Sequence, residues 1–238
     1  MSGTAAICDT RPSQRLVGLF PLPVSAFERE DRADVSRLFD VEVQAGRTFA
    51  AARLGEFAAG RACAHAALEA AGCEEPVVPS GPDRAPVWPD GFTGSITHTR
   101  GYYAAAAVDR LVYRSIGIDA ESIERVTDDL WPTLLTPAEI AALMDRPGAE
   151  RRCEAALAFS AKEAFYKCQS PLTQMWIDFH DVRITLDNDG DGSGAFTVHP
   201  ISASCLERFA GLRLAGRFAR YGDLVVTGMG ITPSDWIS

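Results

Sequence analysis

An α+β protein of two similar α/β subdomains, with a ligand cleft between them, is the fold class the sequence predicts. Three observations carry it. Helix followed by short strands occurs twice along the chain; 47% apolar and 23% charged residues is an ordinary globular balance; and 238 residues suit one large domain or two of roughly 100–120. The expected division separates an N-terminal subdomain, 1–112, from a C-terminal one, 113–238.

The elements follow in order. Residues 47–71 are rich in alanine and place Leu54, Phe57, Ala58 and Leu68 on one face, predicting a helix that stops at Gly72. A Pro/Gly-rich loop spans 76–94, and strand-like runs follow at 95–97, 102–108 and 111–120, separated by Arg100-Gly101 and Asp109-Arg110. The second half opens on Thr136-Pro137-Ala138-Glu139, an N-cap, a first-turn proline and a capping-box acid, which predicts a helix over 137–144. A second helix is expected at 150–169, then strands near 179–187, 194–199, 212–219 and 223–231. Asp187-Asn188-Asp189-Gly190-Asp191-Gly192 begins like an EF-hand loop, but Val198 stands at its twelfth position where a bidentate Glu is required, so it reads as a hairpin turn.

Charge and cysteine use bound the function. With 32 acidic against 23 basic residues the net charge is −9, which argues against indiscriminate attraction to nucleic acid or an anionic membrane. The six cysteines, at 8, 63, 73, 153, 168 and 205, form no C-x-x-C pair and have no histidine at zinc-finger spacing, so a thiol-reducing cytoplasm is the expected location. MSGTAAICDT lacks the features of a signal peptide, and no apolar run approaches the ~20 residues of a membrane span. No internal repeat or low-complexity segment is present.

Four constellations carry possible chemistry. In Arg114-Ser-Ile116-Gly117-Ile118-Asp119-Ala120-Glu121, strand alternation sends Ile116, Ile118 and Ala120 one way and Gly117, Asp119 and Glu121 the other. Two carboxylates about 6–7 Å apart on one face can serve a hard cation, or can be a solvated strand end. In Phe159-Ser160-Ala161-Lys162-Glu163-Ala164-Phe165-Tyr166-Lys167, Glu163 and Lys167 are helical neighbours, the spacing of a surface ion pair or of two groups working on one ligand. Gly94-Ser95-Ile96-Thr97-His98-Thr99-Arg100-Gly101 gathers hydroxyls, an imidazole and a cation of the kind an anion would need, though a lone histidine is also an ordinary structural residue. On the long helix, Arg61 and His65 share the apolar face and Arg53 lies about 12 Å away at its edge. These arginines either snorkel to water or bind phosphate in the cleft.

In this order the motifs resemble the 4′-phosphopantetheinyl transferases, of the long monomeric type typified by the enterobactin synthase component D and surfactin synthetase activating enzymes. G-S-I-T-H-T, G-I-D-A-E and F-S-A-K-E-A-F-Y-K stand in register, with Arg53…Glu56-Phe57…Gly60-Arg61 and Arg84-Ala85-Pro86-Val87-Trp88-Pro89-Asp90-Gly91 between about Leu38 and Asp181. The resemblance implies the pseudo-dimer fold with coenzyme A between the halves, and transfer of its phosphopantetheine arm to a serine of an apo acyl or peptidyl carrier protein, releasing adenosine 3′,5′-bisphosphate. It implies Asp119, Glu121 and Glu163 as ligands of Mg²⁺ (Mn²⁺ suits the same oxygens), Glu163 as the base and Lys167 as the group that stabilises the leaving phosphate. It further implies Thr97, His98 and Lys162 as phosphate contacts, and Arg53, Arg61 and Arg84 at the 3′-phosphate and adenine. Close relatives often carry Lys in the loop before Pro86, where Ser80–Arg84 offers only Arg84.

The partner is then a carrier of siderophore, polyketide, nonribosomal-peptide or lipid synthesis, met by a monomer. Because carriers are usually acidic, contact requires a local basic patch, and Arg146, Arg151 and Arg152 are the candidate cluster. The rival readings are another Mg²⁺-dependent enzyme of nucleotide pyrophosphates, using the same three acids, and a catalytically silent coenzyme A binder.

Overall fold

The computed structural model describes residues 10–236; Cys8 and the N-terminal segment considered above lie outside the described residues. The chain forms two antiparallel sheets, each with one long helix, in agreement with the expected α+β class. β1 (Arg11–Pro12), α1 (Gln14–Val17), β2 (Ser25–Arg29), α2 (Asp40–Gly46), α3 (Ala51–Ala70), β3 (Phe92–Thr99) and β4 (Tyr102–Asp109) make the first half. β5 (Ser115–Ser122), α4 (Trp131–Leu134), α5 (Pro137–Met144), α6 (Gly148–Thr173), β6 (Val182–Asn188), β7 (Ser193–Pro200), α7 (Ala203–Arg208), β8 (Ala215–Tyr221) and β9 (Leu224–Ile231) make the second. The strand orders are β1-β2-β4-β3 and β5-β9-β8-β7-β6. Among the described residues no helix is long and apolar enough to cross a membrane.

Alternation along β4 divides the core of the first half. Tyr103, Ala105 and Ala107 pack beneath the small residues Ala58, Ala59, Cys63, Ala64 and Ala67 of α3. Alanine against alanine lets helix and strand approach closely, and a Cβ on Gly60 would meet Ile96 at 3.0 Å. Tyr102, Ala104, Ala106 and Val108 face the other way, into a second cluster shared with Leu16, Leu19 and Phe20 and with Ile116, Ile118, Ala120 and Val226 of the second sheet. That cluster fastens the halves on one side. A larger core beneath α6 gathers Phe165, Phe196, Phe218 and Met229.

β3 and β5 meet at the seam without pairing as strands. Instead the hydroxyls of Ser95 and Thr97 accept the amides of Ile118 and Ala120 at 3.1 and 3.0 Å. Side chains thus satisfy buried donors that no neighbouring strand reaches, as buried amides require.

The capping box of α5 forms as its sequence predicts: Glu139 N–H reaches Thr136 Oγ1, and Thr136 N–H reaches Glu139 Oε2 at 2.7 Å. Residues 189–192 form the β6–β7 turn, with Gly190 at φ 91 and Gly192 at φ 88, while Asp187 and Asn188 end β6. α6 runs past its expected end, through Pro171, and stops only at Gln174, whose φ is 55. β1, β2, α1, α2, α4 and α7 were not anticipated.

Candidate active site

Where α3 and α6 flank the seam, a cavity of about 480 Å³ opens. α3 supplies Arg53, Glu56, Phe57 and Arg61 to it, and Arg84 joins from the following loop. β3 contributes Ile96 and His98, which alternation directs to the α3 side. The opposite wall is acidic: Asp119 and Glu121 from β5, and Glu163 with Lys167 and Phe159 from α6.

The β5 alternation holds as expected. Ile116, Ile118 and Ala120 are buried in the cluster between the sheets, while Gly117 lies under α6 and Asp119 faces Lys167. Lys167 Nζ binds Asp119 Oδ1 at 2.6 Å, and Thr97 Oγ1 donates to the same oxygen at 3.1 Å. The second oxygen, Oδ2, is buried and has no hydrogen-bond partner. Burial, assisted by Asp119 and Glu163 and opposed by Lys167, pushes the Glu121 carboxyl up to about 8. Burial likewise raises Glu163 against the pull of Lys167. Despite its own desolvation, Lys167 is raised by the surrounding Asp119, Glu163 and Glu121, so it stays charged.

A cation suits this wall. An orphaned buried carboxylate oxygen, next to two carboxyls driven upward by burial and by the charge of Asp119, is a donor set that a hard ion would satisfy. Asp119 and Glu121 are adjacent on one face of β5, but among the described residues no group of three carboxylate, His or Cys side chains converges tightly enough to hold a metal by itself.

The basic wall is equally incomplete. Arg61 is 4% exposed, its guanidinium 4.5 Å from the Phe57 ring centre, and Nη2 reaches Ser80 Oγ at 3.1 Å, yet Nε has no partner. Desolvation lowers its pKa to about 10. Arg53 contacts His98 Nε2 at 2.8 Å and Glu56 at 3.4 Å. Desolvation and Arg53 hold His98 below the usual imidazole range, which favours the neutral ring. Arg84 adopts φ 69, unusual for a residue with a side chain.

The structure therefore brings together Arg53, Arg61, Arg84, His98, Asp119, Glu121, Glu163 and Lys167. Thr97 and Lys162 do not line the cavity. Thr97 is spent on the seam and on Asp119, because adjacent strand residues point to opposite faces and His98 has the cavity side. Lys162 is 1% exposed and turned away into the C-terminal core, where Nζ binds Glu139 Oε2 at 2.7 Å and the carbonyls of Leu134 and Phe179. Two members of the proposed basic patch are also engaged internally: Arg146 pairs with Glu154 at 3.4 Å, and Arg151 bonds the carbonyls of Met144 and Arg146. Glu56 had no assigned role in the sequence reading, although its i, i+3 spacing from Arg53 marks it as that arginine's partner.

A model of the 4′-phosphopantetheinyl transferase N-terminal domain matches residues 42–108, and a model of the 4′-phosphopantetheinyl transferase superfamily matches 115–219. 4′-Phosphopantetheinyl transferase PptT of Mycobacterium tuberculosis is 36% identical over 181 residues, 75% of this chain and 79% of that protein. 4′-Phosphopantetheinyl transferase Svp of Streptomyces mobaraensis is 35% identical, covering 83% and 80%. 4′-Phosphopantetheinyl transferase Npt of Nocardia iowensis is 38% identical, covering 62% and 66%.

Proposed function

From the membership of this chain in the 4′-phosphopantetheinyl transferase superfamily, we propose that it moves the 4′-phosphopantetheine arm of coenzyme A to a serine of an apo acyl or peptidyl carrier protein. The observation that carries this reading is the two-walled cavity, lined on one side by Arg53, Arg61 and Arg84 and on the other by Asp119, Glu121 and Glu163. Coenzyme A is a polyanion with a pyrophosphate at its centre, so it needs guanidinium groups at the nucleotide end and a counter-charge at the pyrophosphate. The basic wall belongs to the proposed N-terminal subdomain, 1–112, and the acidic wall to the proposed C-terminal one, 113–238. Both walls come from one chain, which supports a monomer, and a cytoplasmic site of action follows from the coenzyme A pool it would draw on.

Arg53, Arg61, Arg84 and His98 bind the 3′-phosphate and adenine end. Asp119, Glu121 and Glu163 would hold Mg²⁺, which supplies charge neutralisation on the pyrophosphate under attack. The serine oxygen bonds to the phosphorus that carries pantetheine, the bond to the bridging oxygen breaks, and adenosine 3′,5′-bisphosphate leaves. Glu163, on the cavity wall one helical turn from Lys167, takes the serine proton. Lys167, held charged beside Asp119, faces the negative charge that develops on the leaving phosphate.

Intact-mass measurement tests the reading. With Mg²⁺, coenzyme A and a panel of fatty-acid, polyketide and peptide apo carriers, at least one carrier is expected to gain one phosphopantetheine, and EDTA is expected to abolish the gain. Coenzyme A cleavage without carrier modification would mark a hydrolase instead, and no reaction with any carrier would overturn the assignment.

A further inference from the structure

A second cavity, about 550 Å³, adjoins the first, and Glu56, His98, Glu121 and Phe159 line both. The two therefore share a wall. The new mouth has its own character. Arg32, Arg100 and Arg125 line it and are exposed, whereas its two carboxylates, Glu56 and Glu121, are only half-exposed. Val126, Leu130 and Leu134 supply an apolar wall, and Leu130 is 41% exposed.

Arg100 sits in the β3–β4 turn and Arg125 follows β5, so each half of the molecule contributes a cation at the point where the halves meet. Neither has an ion pair or side-chain hydrogen bond among the described residues; Arg32 spends one nitrogen on Glu56 at 3.3 Å. Glu124, Asp128 and Asp129 belong to the same loop as Arg125 but do not line the cavity. In a chain of net charge −9, two unpaired guanidinium groups and a third paired through one nitrogen only make this opening a local reversal of sign.

We propose that this mouth is the acceptor face: it docks an acidic segment of the carrier protein against Arg32, Arg100 and Arg125, with neighbouring apolar side chains on Val126, Leu130 and Leu134, so that the serine enters beside Glu163. The inference rests on the transfer reading above and names the surface that reading leaves open. It replaces the Arg146, Arg151 and Arg152 cluster, two of whose members are bound internally. A pantetheine arm in the same cavity would explain the apolar wall, but an uncharged arm has no use for three rim arginines.

The test is the steady-state KM for an acidic apo carrier at low and moderate salt, beside the KM for coenzyme A, in wild type, Arg100→Glu and Arg146→Glu/Arg152→Glu. Arg100→Glu is expected to raise the carrier KM about tenfold at low salt, to flatten its salt dependence and to leave the coenzyme A KM within twofold, while the Arg146/Arg152 variant behaves as wild type. Arg32→Gln, which removes charge without reversing it, is expected to show a smaller rise. Unchanged carrier KM in Arg100→Glu, with wild type active, overturns the docking face and leaves the transfer reading intact. A weaker affinity for coenzyme A without change for adenosine 3′,5′-bisphosphate overturns it in favour of the arm. Failure of wild type to load any carrier removes the transfer reading, and the docking face with it.

Discussion

Asp119 shows how much one side chain can settle. Oδ1 is taken by Lys167 and Thr97, and Oδ2 is buried without a partner, so the residue is half structural and half open to a ligand. Glu163, by contrast, is half-buried and makes no side-chain hydrogen bond among the described residues. Glu163→Gln is expected to lower kcat by about 10²–10⁴ while coenzyme A affinity measured by calorimetry in EDTA, without divalent cation, changes little; retained kcat would mean that another group takes the proton. Thr97 makes the opposite case. Thr97→Val is expected to cost about 1–3 kcal/mol in chemical denaturation by stranding the Ala120 amide and to leave coenzyme A binding nearly unchanged, and Thr97→Ser should recover most of the loss. The motif G-S-I-T-H-T already held the clue, since consecutive strand side chains point to opposite faces and His98 takes the α3 side. Motif likeness names which residues matter, but alternation decides which of them can touch the ligand.

The element that organises the site is α6. Lys162, Glu163 and Lys167 are close in sequence, but at 100° per residue Lys162 points away from the side that Glu163 and Lys167 share. Its ammonium is anchored by Glu139, Leu134 and Phe179, and Glu139 in turn accepts the Ile184 amide at 2.7 Å. Lys162→Met would leave Glu139 as a buried, partly uncompensated charge, and a loss of about 3–5 kcal/mol is expected by denaturant titration. On its other side α6 lies almost against β5: a Cβ on Gly117 would fall 1.9 Å from the Ala164 carbonyl oxygen. Gly117→Ala is expected to push the helix off the strand, lowering stability by at least ~2 kcal/mol and, because Asp119 and Lys167 ride on the displaced elements, lowering transfer activity further than stability alone accounts for. Full activity of a stable Gly117→Ala protein would contradict this close fit. The long elements were legible because their patterns are strong: the Ala-rich periodicity of α3, the capping box of α5 and the alternation of β5. The short ones were not. β1 has two residues and α1 and α4 four each, so none displays a full period, and β2 is recognisable only by its pairing with β4.

The whole molecule is held by three junctions: the apolar cluster between the sheets, the hydroxyl seam of β3 on β5, and a buried carboxylate in the N-terminal half. Only the first two join the halves, and the two-half organisation was readable because helix-then-strand order recurs. The third was invisible in sequence, since Glu42, His65 and Val78 converge only after folding. Glu42 is fully buried, accepting the Phe39 and Val78 amides at 3.0 and 2.9 Å and lying 2.8 Å from His65 Nε2. It thus ties α2 to α3 and to the segment that leads to Ser80, the hydroxyl that steadies Arg61. Burial alone would raise the Glu42 pKa, but His65 and the two amides outweigh it and the net shift is downward. A carboxylate with a depressed folded-state pKa contributes stability that is present above its unfolded value, about 4.3, and is lost as pH falls through the folded value. Wild type should therefore be more stable than Glu42→Gln at pH 6–7, and the gap should narrow as pH drops below about 4 when both are unfolded by urea. Because the network supports the arginine wall, adenosine 3′,5′-bisphosphate affinity should fall with it in Glu42→Gln, while the distant Lys162 and Glu139 anchor is unaffected. A stability gap that stays constant from pH 7 to about pH 3 would show that Glu42 acts through packing rather than through its charge.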